Sequence, residues 1–99
     1  MPRIDSGELG RWQTLDAAAA LTALADYAKR DPAFKPIKDR ATTRWYATVQ
    51  GIEFELLLTG PKFFDTRVKK GGGGAIDLVI YLLRVDFKTA TNVLRCKGL

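Results

Sequence analysis

Apolar and polar residues alternate along the middle of the chain, and a repeat of two is typical of β-strands. Residues 44–50 and 52–59 both show this repeat, and Gln50-Gly51 between them favours a tight hairpin turn. A third run, residues 62–68, follows a second turn at Gly60-Pro61. The pattern predicts a three-stranded antiparallel meander. The predicted inward side chains are Trp45, Ala47, Val49, Ile52, Phe54, Leu56 and Leu58.

The same alternation assigns side chains to the outer face of the meander. Tyr46 is predicted to point outwards, and Phe63 and Phe64 are predicted to point to opposite sides. Glu53 and Glu55 fall opposite the apolar positions of their strand. We therefore interpret these two glutamates as residues on the solvent-exposed face of a strand rather than as a catalytic pair.

A helix is predicted upstream of the meander, in a segment of high helix propensity. Thr14 or Asp16 can cap it, and it runs to about Lys29. Asp31-Pro32 then ends it, and an irregular basic connector leads to the first strand.

Two further helices are predicted downstream, at residues 75–83 and at 87–95, the second capped by Asp86. Their predicted buried residues are Ala75, Ile76, Val79, Ile80, Leu83, Phe87, Ala90, Val93 and Leu94. The expected fold class is α+β, a three-stranded meander packed with an N-terminal helix and two C-terminal helices. Residues 1–13 are expected to be flexible and residues 14–97 to form a single domain.

Composition excludes several kinds of chemistry. The chain of 99 residues has no histidine and one cysteine, Cys96, so a structural zinc site or a Cys–His nucleophile cannot be assembled within it. No apolar run approaches the roughly 20 residues of a membrane helix, and the start of the chain lacks the apolar core of a secretory signal. We expect a cytoplasmic protein that is not an enzyme, binds no metal or cofactor and has no membrane partner.

Basic residues are concentrated in two segments of a chain whose net charge is +5. Residues 29–44 contain six basic and two acidic residues, and residues 62–70 contain four basic residues and one acidic. Two interpretations are open. The segments form a surface for a polyanion, or they are solvated charges that keep the domain soluble.

The most distinctive segment, residues 69–78, has two lysines, four glycines and the start of a helix. Glycine lets a backbone approach a ligand closely, and the N–H groups of a helix N-terminus attract anions. No Lys-Ser or Lys-Thr follows the glycines, so this is not a Walker A loop. The segment is either a phosphate site or a plain flexible loop.

The run Gly-Gly-Gly-Gly-Ala-Ile-Asp-Leu-Val at residues 71–79 is followed by a short helix and by Val-Asp-Phe-Lys-Thr-Ala at 85–90. This order resembles the end of the zinc-binding domain of bacterial DNA primases, in particular plasmid- and island-borne primase-like or toprim-associated proteins. The resemblance spans residues 15–94, and its specific part is the last third. It implies template recognition on single-stranded DNA, in replication or in transfer of a mobile genetic element.

The ligands of that family's zinc ion are missing from this chain. Counting back from the glycines, the second cysteine pair falls at Thr66 and Lys69, and the first pair falls near Gln50-Gly51. The resemblance therefore implies a zinc-ribbon-like fold without zinc, held together by core packing.

The leading hypothesis is a non-catalytic domain that binds nucleic acid, with single-stranded DNA favoured. Cations and glycine amides would hold phosphates, and an outward aromatic ring would stack on a base. The candidate residues are Arg44, Tyr46, Lys62, Arg67, Lys69, Lys70, Gly71, Gly72, Gly73 and Gly74.

Two alternatives are open. The first is a protein-interaction module that docks on a primase, helicase or relaxase partner and has little affinity for DNA. The second is a helix-turn-helix in the last two helices, whose recognition surface for duplex DNA would be thin. That surface would consist of Lys88, Thr89, Thr91, Asn92 and Arg95.

Overall fold

The computed structural model describes residues 6–99, which form an antiparallel sheet and helices in an α+β fold, as predicted. The helices are α1 (Ser6–Thr14), α2 (Ala17–Leu24), α3 (Ala75–Leu83) and α4 (Phe87–Cys96). The strands are β1 (Tyr27–Arg30), β2 (Thr43–Val49), β3 (Ile52–Thr59), β4 (Lys62–Asp65) and β5 (Lys70–Gly73).

The sheet follows chain order from β1 to β5, and every neighbouring pair of strands is antiparallel. Strands β2, β3 and β4 are the predicted meander. Its first turn has φ of 50° at Gln50 and 79° at Gly51, which is the left-handed backbone that a two-residue hairpin turn requires. The prediction of three strands is wrong. Residues 6–99 form a sheet of five strands, because β1 and β5 extend it at its two edges.

Strand β1 replaces the end of the predicted first helix. Helix α2 ends well before Lys29, and Ala25 is already extended. The Asp26 N–H donates to the Thr48 carbonyl at 2.9 Å, and the Asp26 carboxylate accepts from the Gln50 N–H at 2.8 Å. Pairing with β2 therefore outweighs the local helix propensity of this segment.

Strand β5 contains glycines that were expected to form a loop. Gly71 lies opposite Phe64, and a Cβ on it would lie 2.8 Å from the carbonyl oxygen of Phe63. Gly72 lies opposite Phe63, and a Cβ on it would lie 3.0 Å from that ring. The expectation of a flexible loop is wrong, because the aromatic rings of β4 pack over β5 where it has no side chains.

Helices cover one face of the sheet, which we call the covered face. Helices α2 and α3 contact the strands, and α1 and α4 pack against α3. The predicted inward residues of β2 and β3 lie on this face, although Ile52 at the end of β3 is 40% exposed. The largest fully buried side chains are Trp12, Leu21, Val49, Leu56, Leu78, Val79, Leu82 and Leu94.

Helix α3 is apolar on nearly every side because it lies between the sheet and the other helices. Leu78 and Leu82 are its largest buried side chains. Ile76, Ile80 and Leu83 were predicted to be buried in their place and are only partly buried. The periodicity of so apolar a helix does not define which side faces the sheet.

Helix α4 begins after Asp86, as predicted, and the Asp86 carboxylate accepts a hydrogen bond from the Thr89 N–H at 2.8 Å. Hydrogen bonding from Thr89 holds the pKa of Asp86 below its ordinary value. The predicted burial of Phe87 is wrong, since its side chain is 50% exposed. It lies at the rim of a depression beside α1, where Trp12 closes the core.

The described part of the segment expected to be flexible is helical, because residues 6–13 belong to α1. Two hydrogen bonds from Arg95 to the Glu8 carboxylate, 2.7 and 2.8 Å long, join α1 to α4. The Arg11 side chain also donates to the carbonyl of Leu99 at 2.8 Å. Residues 1–5 of that segment lie outside the described residues. Among residues 6–99, no helix combines the length and the apolar character needed to cross a membrane.

Candidate nucleic-acid interface

The opposite face of the sheet has no helix from residues 6–99 on it, and we call it the open face. The strand register places its side chains in four rows that run across the strands. In order from the Gln50-Gly51 turn, the rows are Tyr27, Thr48 and Glu53; Lys29, Tyr46 and Glu55; Arg44, Leu57, Phe64 and Gly71; and Thr59, Lys62 and Gly73.

Three aromatic side chains form an oblique line over this face, from β1 in the first row to β4 in the third. Tyr27 is 56% exposed, Tyr46 is 38% exposed and Phe64 is 41% exposed. Diagonal neighbours on a sheet lie about 7–8 Å apart, and Tyr27 and Tyr46 line one shallow depression. We call Tyr27, Tyr46 and Phe64 the aromatic diagonal. Strand β3 separates Tyr46 from Phe64, so Phe64 lies one strand further along the line. Exposed rings of this kind can stack on bases of one strand.

Two exposed lysines lie next to the aromatic diagonal. Lys29 shares a row with Tyr46, and Lys62 lies on the same face of β4 as Phe64. Within residues 6–99, neither lysine takes part in an ion pair. Their ammonium groups can therefore reach a phosphate without first breaking an internal contact.

Glu55 brings together the two arginines that were predicted to hold phosphates. Arg44 forms an ion pair with it, and the Arg44 guanidinium lies 5.5 Å from the centre of the Tyr46 ring. The Nε atom of Arg67 lies 3.9 Å from the same carboxylate, and the Thr66 hydroxyl donates to it at 2.9 Å. These contacts position Arg44 beside Tyr46 and reduce the positive charge that both arginines present to solvent.

The other predicted cations lie away from the aromatic diagonal. Lys69 is in the turn between β4 and β5 with a φ of 61°, and Lys70 lies opposite Asp65, whose side chain points to the covered face. This turn is at the same end of the sheet as Gln50-Gly51. Only some of the residues predicted to bind nucleic acid therefore lie together. Those on the open face are Arg44, Tyr46, Lys62, Gly71 and Gly73, and Arg67 lies at its edge.

At the start of α3, two of the glycine N–H groups that were predicted to hold a phosphate are already hydrogen-bonded within the protein. The Gly73 N–H donates to the Asp77 carboxylate at 3.4 Å, and the Gly74 N–H donates to the Pro61 carbonyl at 2.9 Å. Asp77 lies in the first turn of α3, where its negative charge complements the helix dipole. The φ of 90° at Gly74 lets the chain turn from β5 into α3.

Sequence reasoning missed a groove at the end of the open face opposite the Gln50-Gly51 turn. The connector between β1 and β2, residues 31–42, extends over β3 and β4 and forms one side of this groove, whose volume is about 660 Å³. Its lining includes Phe34, Lys35, Pro36, Ile37, Lys38, Asp39, Leu57, Lys62 and Phe64. The sequence feature that could have indicated this groove is the pair Phe34 and Ile37, two apolar residues in a basic segment that has neither a helical nor a strand repeat.

A buried Asp–Tyr pair supports the turn between β4 and β5 from behind. Asp65 is 3% exposed and accepts hydrogen bonds from the Arg67 N–H at 2.9 Å, the Val68 N–H at 3.2 Å and the Tyr81 hydroxyl. Burial, together with the hydrogen bond to Asp65, raises the pKa of Tyr81 to about 12. The pair fixes the turn and holds Arg67 at the edge of the open face.

No protein-family model, curated protein or solved structure matches this chain. In the part of the chain that the structure describes, no three His, Cys, Asp or Glu side chains are grouped closely enough to hold a metal ion.

Proposed function

We propose that this domain binds single-stranded nucleic acid on its open face, with single-stranded DNA favoured, and that it performs no catalysis itself. The observation that carries the proposal is the aromatic diagonal, three exposed rings beside two unpaired lysines on a sheet face that no described helix covers. Aromatic rings that stack on bases and cations that follow the backbone are the two features that single-strand binders combine.

The proposed contacts divide into two kinds. Rings of the aromatic diagonal stack on bases, each stack contributing about 1–3 kcal/mol with little dependence on sequence. Lys29 and Lys62 hold phosphates, and Arg44 and Arg67 add weaker attraction because Glu55 already neutralises part of their charge. Duplex DNA offers the phosphates but keeps its bases stacked on each other, so it should bind more weakly.

The primase resemblance supports a finer description of the fold, a zinc-ribbon-like sheet without zinc. The two turns at which that family's ligands would fall, residues 50–51 and 66–69, lie at the same end of the sheet. Glu55 and the Asp65–Tyr81 pair supply the polar contacts at this end. We extend the proposal to an accessory role in replication or transfer of a mobile element, beside a primase or helicase partner.

Fluorescence anisotropy with labelled dT15, its RNA counterpart and a 15-base-pair duplex tests the proposal. Tyr46→Ala should weaken dT15 binding about 30-fold, the middle of the range for one lost stack. Lys62→Ala should weaken it and lower the slope of log affinity against log salt by about 0.7, the value for one phosphate contact on a single strand.

Phe87→Ala is the matched control, because Phe87 is a half-exposed aromatic residue on α4, outside the open face. Its affinity for dT15 should equal that of the unaltered protein. The proposal is wrong if dT15 does not bind at low salt, or if Phe87→Ala weakens binding as much as Tyr46→Ala.

A further inference from the structure

We infer that the groove beneath the connector holds one or two unstacked bases of the bound strand, and that it makes the interface select single strands over duplexes. This inference rests on the proposed function and adds a second contact region to it. The connector was predicted only as an irregular basic segment, so neither the groove nor its role follows from the sequence pattern.

The groove has the size and surface of a site for a flat, partly apolar group. Its volume of about 660 Å³ lies within the 300–1,000 Å³ that is usual for small-molecule sites. Leu57 and Phe64 form its floor on the sheet, and Phe34 and Ile37 line the connector side. Ile37 is 98% exposed, so its side chain lies in solvent at the rim of the groove and can close over a base that enters.

Charge favours a strand of nucleic acid as the occupant. Lys35, Lys38 and Lys62 line the groove against a single acidic residue, Asp39. Apolar walls with an excess of lysines suit a ligand that carries flat rings on an anionic backbone.

The groove is continuous with the aromatic diagonal. Phe64 belongs to both, and Lys62, one row further along β4, also lines the groove. A strand whose bases stack along Tyr27 and Tyr46 reaches Phe64 next and then enters the groove. A paired base cannot enter without leaving its duplex, and unpairing costs a few kcal/mol.

Hydrogen bonds fix both ends of the connector before any ligand binds. Asp31 and Asp39 each accept a hydrogen bond from a backbone N–H two residues later, both at 2.9 Å. The hydroxyls of Thr42 and Thr59 are joined by a hydrogen bond of 2.7 Å, which ties the end of the connector to β3. Fixed ends reduce the conformational entropy that the connector loses when a base binds.

Ile37→Ala tests the groove, and Val68→Ala is its matched control. Both are exposed β-branched residues, and Val68 lies in the turn between β4 and β5, outside the groove. We expect Ile37→Ala to weaken binding of dT15 about 5- to 10-fold, because it removes apolar surface that a bound base would partly bury. Val68→Ala should leave dT15 binding unchanged, and neither variant should alter binding of the 15-base-pair duplex.

Photo-crosslinking of dT15 that carries 5-iododeoxyuridine gives a second readout, with crosslinks expected on the peptide that contains Phe34 and Ile37. If dT15 binds but Ile37→Ala equals Val68→Ala and crosslinks fall only on the sheet, the inference is overturned and the proposed function stands. The groove would then be left to an apolar segment of a protein partner. Equal weakening of dT15 and duplex by Ile37→Ala also overturns it. Failure of the unaltered protein to bind dT15 is instead failure of the proposed function.

Discussion

The two faces of this sheet are built from alternate residues of the same strands, and they differ in almost every physical respect. On β4, Phe63 is 5% exposed beneath the helices, whereas Phe64, the next residue, is 41% exposed on the open face. The buried strand residues of the covered face are apolar apart from Asp65, and the open face mixes aromatic rings with charges. Stability and recognition are therefore assigned to neighbouring positions, so point substitutions should separate them.

The largest expected effect is that of Phe63→Ala, which should lower the free energy of unfolding by about 3–5 kcal/mol through loss of a buried ring. Phe64→Ala should lower it less, by about 1–2 kcal/mol, because 41% of this residue is already exposed to water. Urea denaturation followed by circular dichroism measures both. Equal losses of unfolding free energy would show that the two faces contribute equally to stability.

Gly71→Ala should come next, because the added Cβ meets the carbonyl oxygen of Phe63 at 2.8 Å and the ring of Phe64 at 3.1 Å. Crowding of this kind costs about 1–3 kcal/mol. Gly10→Ala is the control, since Gly10 is within α1 and a Cβ there meets nothing within 4 Å. It should stabilise the protein by about 0.5–1 kcal/mol. A neutral Gly71→Ala would argue that the Phe64 ring does not pack over β5.

The central hairpins and the last two helices could be predicted because their signals are local. Alternation placed Tyr46 outside and Trp45 inside, and Asp86 marked the start of α4. The edge strands could not be predicted in this way. Strand β1 depends on hydrogen bonds to β2, and β5 depends on the rings of Phe63 and Phe64 packing over glycines.

The candidate site was predicted in part for the same reason. Arg44, Tyr46 and Lys62 share the open face because strand alternation alone decides it. Tyr27 and Lys29 were missed because their strand was expected to be helix. The groove was missed because the path of an irregular connector over the sheet leaves no periodic signal in the sequence.

A smaller effect should appear at high pH on the covered face. The folded protein raises the pKa of Tyr81 from 10.0 to about 12, so it holds the phenol proton more tightly than the unfolded chain does. The resulting stability is present below pH 10 and is lost as the pH rises to 12. Tyr81→Phe should lose about 1 kcal/mol at pH 8, the value of one hydrogen bond, and should show less of the decline above pH 10.

Tyr27→Phe on the open face is the control for this measurement, because Tyr27 is 56% exposed. Urea midpoints at pH 8 and pH 11 compare the three proteins. The same decline in Tyr81→Phe as in the unaltered protein would exclude the Asp65–Tyr81 pair as its cause.

The smallest expected effect is on affinity alone. Glu53 is exposed in the first row of the open face, near Tyr27, and its charge opposes a phosphate backbone. Glu53→Gln should strengthen dT15 binding about two- to threefold at low salt, an effect that salt screens, and should change stability by less than about 0.5 kcal/mol. Asp16→Asn, an exposed acid just before α2, should leave affinity unchanged.

The hydrogen bonds from Arg11 to Leu99 and from Arg95 to Glu8 hold the first and last described helices together in the helix layer. Both ends of the described chain therefore lie behind the sheet, on the side away from Tyr46. A fusion partner or a surface tether attached at either end would leave the open face accessible. The domain can thus be displayed in a defined orientation, with its recognition side outwards, without any change to the sheet.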